Sequence, residues 1–445
     1  MIERAERLPS GSDFTLVIQL GPLTGDAGLL LEWLDANGRS TVCLTRTGGQ
    51  PGELRFSVLV AADLAPLELV APLDTIGHET PHELVLRHCG YRLDLLVDGV
   101  LLDEDWPLGR YPAATGNPRI EPTFVRDLAV WPMAREIPVS PDREEYYLGP
   151  ALPPGQGWKP RGHNVHVGDC MPFFHDGRLR IFYLRDRRQH GSMWGCGGHQ
   201  WAQISTTDLA IWTEHPRALA IDAATPGSIC TGSVFFHAGT YHAFHSLRPA
   251  DGSPAPLCVA TSTDGAQFGL RSELLTLPDP YDRRATRDPV VFRDETTGSF
   301  HLLATAALND AGGKVRGCLA HLTSRDLRHW ELDRPFLILD DPTHPECPDY
   351  FTWRGWHYLV FSLHGIARYR MSRQPLGPWE IPADDRLDPT DARVMKTAAF
   401  TGDRRLGVAF MAEGGGWGGT LCIRELAQRP DGTLATRWPA ELPGR

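Results

Sequence analysis

The sequence lacks the paired cysteines of a disulfide or zinc scaffold. Its nine cysteines are scattered, odd in number, and include no CxxC pair and no Cys/His zinc spacing. They read as reduced, mostly buried thiols. No stretch approaches a membrane-spanning apolar run, and the start Met1-Ile2-Glu3-Arg4-Ala5-Glu6-Arg7 carries no apolar h-region, so a cytoplasmic enzyme without a membrane partner is expected. Concentrated Lys and Arg are absent as well. A formal net charge of −11 argues against a nucleic acid or an anionic membrane as principal partner and favours a neutral substrate. There is no GxSxG elbow and no Cys–His nucleophile signature. The glycine-rich run Glu413-Gly414-Gly415-Gly416-Trp417-Gly418-Gly419 lacks the Lys-Ser/Thr of a phosphate loop, so no cofactor is expected. His163, His166, His175 and His190 fix no coordination geometry, and no metal is expected either.

Sustained helical periodicity is also scarce, and what remains is a chain of short apolar or alternating runs bounded by Gly, Pro and Asp. An all-β protein follows. At 445 residues the chain exceeds what one core usually serves, which predicts two domains. The runs Phe14–Leu20, Gly28–Trp33, Thr41–Arg46, Leu54–Val60, Glu83–His88 and Tyr91–Val97 suit a β-sandwich over residues 1–135. The last pair resembles hairpins of concanavalin-like and laminin-G-like jelly rolls. This unit is read mainly as a packing module, with carbohydrate binding as the alternative. Residues 136–158, rich in proline, read as a linker.

From residue 159 to 445 a unit recurs every ~50–60 residues, the period of propeller blades. An apolar strand, a Gly turn and an aromatic-rich strand repeat at Met171–Leu184, Val234–His245, Val290–Ala304, Tyr350–Phe361 and Thr397–Met411, which predicts a five-bladed β-propeller. A second repeat, an Asp turn followed by an aromatic, runs through Asp208 with Trp212, Asp264 with Phe268 and Asp326 with Trp330, and is assigned to structure.

The residues just before each blade's first strand should converge on the central pocket. They read Gly168-Asp169-Cys170-Met171-Pro172, Thr231-Gly232-Ser233, Arg287-Asp288-Pro289 and Glu346-Cys347-Pro348-Asp349. Three blades present a carboxylate at what the repeat makes equivalent positions. Glycoside cleavage needs one carboxylic acid to protonate the leaving oxygen and a second carboxylate to attack or to activate water.

On these motifs the chain resembles glycoside hydrolase family 32, the invertases, inulinases and levanases, and more distantly family 68. Arg287-Asp288-Pro289 matches the clan's RDP motif and Glu346-Cys347-Pro348-Asp349-Tyr350-Phe351 its ECPDLF motif. Trp194-Gly195 with His199-Gln200-Trp201-Ala202, Ser205, Asp208-Leu209 and Trp212 resembles its WG…HWGHA.S.DL.HW block. The resemblance spans roughly residues 160–445. It implies Asp169 as nucleophile, Glu346 as acid/base and Asp288 as transition-state stabiliser, with Asp169 ionised and Glu346 protonated near neutral pH. Arg287, Trp194, Ser233, Thr231 and His166 are the further substrate-binding candidates. The family's NDPNG is replaced here by Gly168-Asp169-Cys170-Met171-Pro172, so a sugar other than fructose, such as an arabinofuranose, stays open.

The expected activity is a retaining cleavage of β-fructofuranosides (fructan, sucrose or fructo-oligosaccharide). An inverting family 43 type of furanosidase, a fructosyl-transferring enzyme and a non-catalytic carbohydrate-binding propeller are the alternatives. The expected partner is a carbohydrate, with a homo-oligomer possible through the sandwich.

Overall fold

The computed structural model describes residues 13–26, 28–48, 52–59, 66–89, 92–105, 115–135, 156–160, 165–187, 189, 198–221, 227–249, 252–309, 313–414 and 416–442. Nearly all regular structure in it is β. Among the described residues the only helical pieces are the single turn Leu73–Ile76 and a 3-10 turn at Thr401–Asp403. None is long and apolar enough to cross a membrane. The predicted linker 136–158 lies outside the described residues except for its last three positions.

The first third of the chain forms two five-stranded sheets. One runs Val125–Trp131, Phe14–Leu20, His82–Cys89, Arg92–Val97, Val100–Asp105, and the other Leu67–Pro72, Glu53–Val58, Ser40–Thr47, Gly28–Leu34, Thr115–Ile120. Alternation builds the layer between them. Phe14, Leu16 and Ile18 of one strand and Leu84 and Leu86 of its neighbour share a single buried cluster with Trp33, Leu44 and Phe56 of the opposite sheet. The other face of the first sheet carries a small cluster of Val85, Leu96 and Leu101 and ends in Glu104, which is fully buried.

The rest of the described chain forms five antiparallel groups, each opening with one long or medium strand: Val165–His175, Gly227–His237, Arg287–Arg293, Glu346–Trp353 and Ala392–Phe400. Three of the groups are joined into one sheet by two single-residue pairings, Val167 with Gly419 and Ile366 with Arg393. The first strands touch one another in chain order, and the fifth touches the first. Five apolar clusters lie between successive groups and close the same cycle. Phe182 and Trp201 pack against Val234 and Ala243, Phe244 against Leu302, Phe292 against Phe361, Tyr358 against Met395, and Phe410 against Tyr183. Each fully buried aromatic or leucine in these seams contributes roughly 1.5–3 kcal/mol, which is what holds neighbouring groups together.

The Asp-turn repeat is structural, as read. In the first group Thr206 Oγ1 accepts from Leu209 N while Asp208 Oδ1 accepts from Ala210 and Ile211 N, and Trp212 Nε1 donates back to Leu209 O. Ser262 with Asp264 and Ser324 with Asp326 repeat the pattern. At Ser372 only the bond from Gln374 N survives, because no Asp follows.

A second seam feature titrates. His301 and His321 stack between Phe292 and Phe336, with His301 Nδ1 and His321 Nε2 2.9 Å apart. Burial, and then the neighbouring His301, push the His321 imidazole down to about 4. An unfolded chain takes that proton near pH 6.5, so the contribution is complete above 6.5 and is lost as pH falls toward 4. Thermal unfolding compared at about pH 7 and about pH 4.5 is expected to fall less in His321→Leu than in wild type; equal falls would refute this account.

Candidate active site

The five first strands share one irregularity. In each, two residues oppose a single residue of the second strand: Gly168 and Asp169, Cys230 and Thr231, Asp288 and Pro289, Cys347 and Pro348, Val394 and Met395. Such a bulge turns side chains out of the ladder. Asp288, Cys347 and Val394, each first in its bulge, all take positive φ, at 55°, 49° and 54°. For a β-branched valine this is a strained conformation.

The shared register corrects one expectation. The three acids are not at equivalent positions but at three successive ones: Glu346 is the last paired residue before its bulge, Asp288 the first bulge residue, Asp169 the second. Arg287 occupies in the third group the position that Glu346 holds in the fourth. A stagger of this kind lets three carboxyls enter one cavity without superimposing.

That cavity has a volume of about 540 Å³, and Asp169, Asp288 and Glu346 all line it. Asp169 Oδ2 accepts from Thr231 Oγ1 at 2.7 Å and lies 3.4 Å from Cys347 Sγ, while the buried Oδ1 has no hydrogen-bond partner among the described residues. Asp288 Oδ2 accepts from Thr305 Oγ1 at 3.2 Å and Cys347 N at 3.1 Å. Arg287 Nη2 donates to Glu346 Oε1 at 2.7 Å, and its Nε is 3.5 Å from Asp288 Oδ2.

Burial, then the charge of Asp288, raises the Asp169 carboxyl to about 7 despite the Thr231 hydrogen bond. Burial raises Asp288 also, with Arg287 opposing and Glu346 adding to the rise. The sequence reading expected an ionised Asp169 and a protonated Glu346. Asp169 departs from that expectation: its place inside the bulge encloses it among acids and its carboxyl is held up to about 7. The Glu346 side chain, just before its bulge, is 38% exposed and paired with Arg287.

Of the other sequence candidates, Arg287 and Thr231 line the cavity. Ser233 and His166 do not. Ser233 Oγ accepts from Val291 N and ties two first strands together, and His166 sits 3.6 Å from Glu413 beside Gly418. Trp194 lies outside the described residues. Sequence reasoning missed Arg248, Arg393, His199, His364 and Trp417, all in the lining. His199 stacks on Trp417 at 4.8 Å and its Nε2 is 3.0 Å from Asp186 Oδ1, which fixes the ring. Aligning Arg393-Val394-Met395-Lys396 with Arg287-Asp288-Pro289-Val290 would have found Arg393. Among the described residues no three His, Cys, Asp or Glu side chains converge as metal ligands would.

Comparison with known proteins agrees with this geometry. The family model described as "Glycosyl hydrolases family 32 N-terminal domain" matches residues 170–377, a segment holding Asp288 and Glu346 and beginning one residue after Asp169. Sucrose-6-phosphate hydrolase of Escherichia coli is 29% identical over 237 residues, covering 48% of this chain and 43% of that protein. An insoluble isoenzyme of beta-fructofuranosidase from Arabidopsis thaliana is 28% identical over 197 residues, 40% of this chain and 31% of that protein. The chain thus spans less than half the length of these relatives. Among solved structures, fructan 1-exohydrolase IIa from Cichorium intybus superposes with a TM-score of 0.53 at 17% identity, over 64% of this chain and 60% of that one, a likeness of fold. Three carboxyls gathered by one repeated bulge stand beside a family match that takes in two of them: residues 170–377 are similar to the N-terminal domain of glycosyl hydrolase family 32.

Proposed function

We propose that this protein is a retaining β-fructofuranosidase built on a five-bladed β-propeller, with residues 1–135 as an accessory β-sandwich. The observation that carries the reading is the convergence of Asp169, Asp288 and Glu346, staggered along one bulge register, on a single cavity. The closed cycle of first strands and seam clusters supports the propeller. Asp169 attacks the anomeric carbon of a fructofuranosyl unit as Glu346 delivers a proton to the departing oxygen. Water then displaces Asp169 while Glu346 takes the water's proton. Asp288, fixed by Thr305 and Cys347 N, accepts from sugar hydroxyls.

One observation favours a second, narrower reading of the substrate. Arg248 and Arg393 line the same cavity as the acids, and Arg393 has no carboxylate within 4 Å among the described residues. A sugar carrying an anionic group would meet those guanidinium groups with charge-assisted hydrogen bonds. The name of the Escherichia coli relative, sucrose-6-phosphate hydrolase, is in keeping with such a substrate.

The test is sugar release from sucrose, sucrose 6-phosphate, inulin, levan and aryl arabinofuranosides by wild type, Asp169→Ala and Glu346→Gln. Fructose release lost in both variants is the expected result. A preference for sucrose 6-phosphate that Arg393→Ala removes selects the anionic substrate, and cleavage of arabinofuranosides alone overturns the fructose assignment. Product stereochemistry followed by NMR separates retention from inversion.

A further inference from the structure

Lys396 is 2% exposed and has no carboxylate within 4 Å among the described residues. A buried ammonium without a direct ion pair is costly, so its place calls for a reason. It is the residue immediately after the bulge of the fifth first strand, and its Nζ donates at 2.8 Å to Gly232 O, the equivalent residue of the second first strand. Those strands are not neighbours in the cycle, so the side chain spans it from one side to the other. Gly232 lies hard against the next strand: an added Cβ would stand 1.8 Å from Phe244 O, so only glycine fits. The peptide that Lys396 holds therefore follows directly on Thr231, whose hydroxyl holds Asp169. The same ammonium opposes the rise of both Asp288 and Cys347.

We propose that Lys396 is a positioning residue of the active site: it pins Gly232, directly after the Cys230-Thr231 bulge that orients Asp169, and sets a fixed positive charge behind the carboxyl cluster. This rests on the reading of Asp169 and Asp288 as working carboxyls. The groups facing that cluster are Cys170 from the first strand, Cys230 from the second, Arg287 from the third, Glu346 and Cys347 from the fourth, and His344 before it. Asp349 and Arg405 lie on the far side of Lys396, where Asp349 accepts from Thr397 and Arg405 donates to it. Arg248 and Arg393 also line the cavity, but Arg287 and Lys396 are the two cations that hold down Asp288, and removing one leaves an excess of negative charge that binds protons more tightly.

The experiment measures the pH dependence of kcat/KM, with thermal unfolding, for Lys396→Gln, Lys396→Met and Lys396→Arg. Gln can keep a hydrogen bond to Gly232 O but carries no charge, Met keeps neither, and Arg keeps the charge. In Gln and Met the acidic limb should move up by about 0.5–1 pH unit, and in Met kcat should fall roughly tenfold further than in Gln as Asp169 loses its alignment. Arg should leave the limb in place. An unshifted limb in folded Lys396→Gln overturns the proposal whatever happens to the rate, because a merely structural lysine would lower stability without moving it. Asp169→Ala separates the two levels: inactive Asp169→Ala beside a wild-type profile in Lys396→Gln overturns this inference alone, whereas an active Asp169→Ala overturns the reading beneath it as well.

Discussion

Asp169→Asn is expected to abolish sugar release and, above pH 7, to make the protein more stable. The carboxyl is buried, one of its oxygens has no partner among the described residues, and burial with the Asp288 charge raises it from 3.8 to about 7. A group raised on folding contributes stability fully below its unfolded value, here 3.8, and loses it as pH rises through the folded value of about 7. Above pH 7 the ionised form therefore costs on the order of 4 kcal/mol, since the carboxyl is held roughly three pH units above its unfolded value and each is worth about 1.36 kcal/mol. Asparagine keeps an oxygen for Thr231 and removes the charge. Its melting temperature at about pH 8 should exceed wild type by roughly 2–4 °C, a gain that disappears at about pH 4, while activity drops at least ~10³-fold. A destabilised variant at the higher pH would show that Asp169 carries no such load.

The same proton makes a kinetic prediction. A centre with one carboxyl raised to about 7 beside a second raised carboxyl holds a proton in weakly acidic solution, and the titration belongs to the cluster. The arrangement that the proposed mechanism requires, with the proton on the acid/base and the nucleophile ionised, is a tautomer of that protonated state. Thus kcat/KM should decline as pH rises through about 7.

Much of this was legible in the sequence because the fold repeats. A turn that needs a hydroxyl, an Asp and an aromatic wrote itself three times, at Thr206, Ser262 and Ser324, and an apolar strand before a Gly turn five times. The acids followed from the motifs Arg287-Asp288-Pro289 and Glu346-Cys347-Pro348. What the repeat did not reveal was its phase. A bulge leaves no residue signature of its own, since Gly168, Cys230, Asp288, Cys347 and Val394 share no chemistry, only a backbone position. Without it Ser233 read as a pocket residue and Arg393 and Lys396 went unnoticed, although one step of register separates wall from interior. The raised Asp169 carboxyl was out of reach for the same reason, because depth in the bulge, and not residue type, decides how far that group is buried.

Glu104→Ala is the other change expected to have a large effect. This carboxylate lies in the last strand of the first N-terminal sheet, is fully buried, and meets two arginines of the first antiparallel group after it: Arg185 Nη1 at 3.1 Å and Arg217 Nη2 in a shorter contact. Arg185 is itself nearly buried, and it stands between Leu184, which lines the cavity, and Asp186, which fixes His199 there. Truncating the acid removes a buried carboxylate from the nearly buried Arg185 and from Arg217, and breaking a buried pair of this kind costs about 3–5 kcal/mol. The penalty should not stop at stability. Val167 and Arg185 are paired across the strand beside Gly168, so a shift of Arg185 is felt on one side by Asp169 and on the other by His199. Glu104→Ala should therefore melt well below wild type and raise KM more than it lowers kcat. Glu104→Gln, which keeps a hydrogen-bond acceptor of the same shape, should recover part of both. Were KM untouched in Glu104→Ala while stability fell, the N-terminal sheets would act by packing alone; a raised KM would show that the Glu104–Arg185 contact steadies the strand beside the cavity.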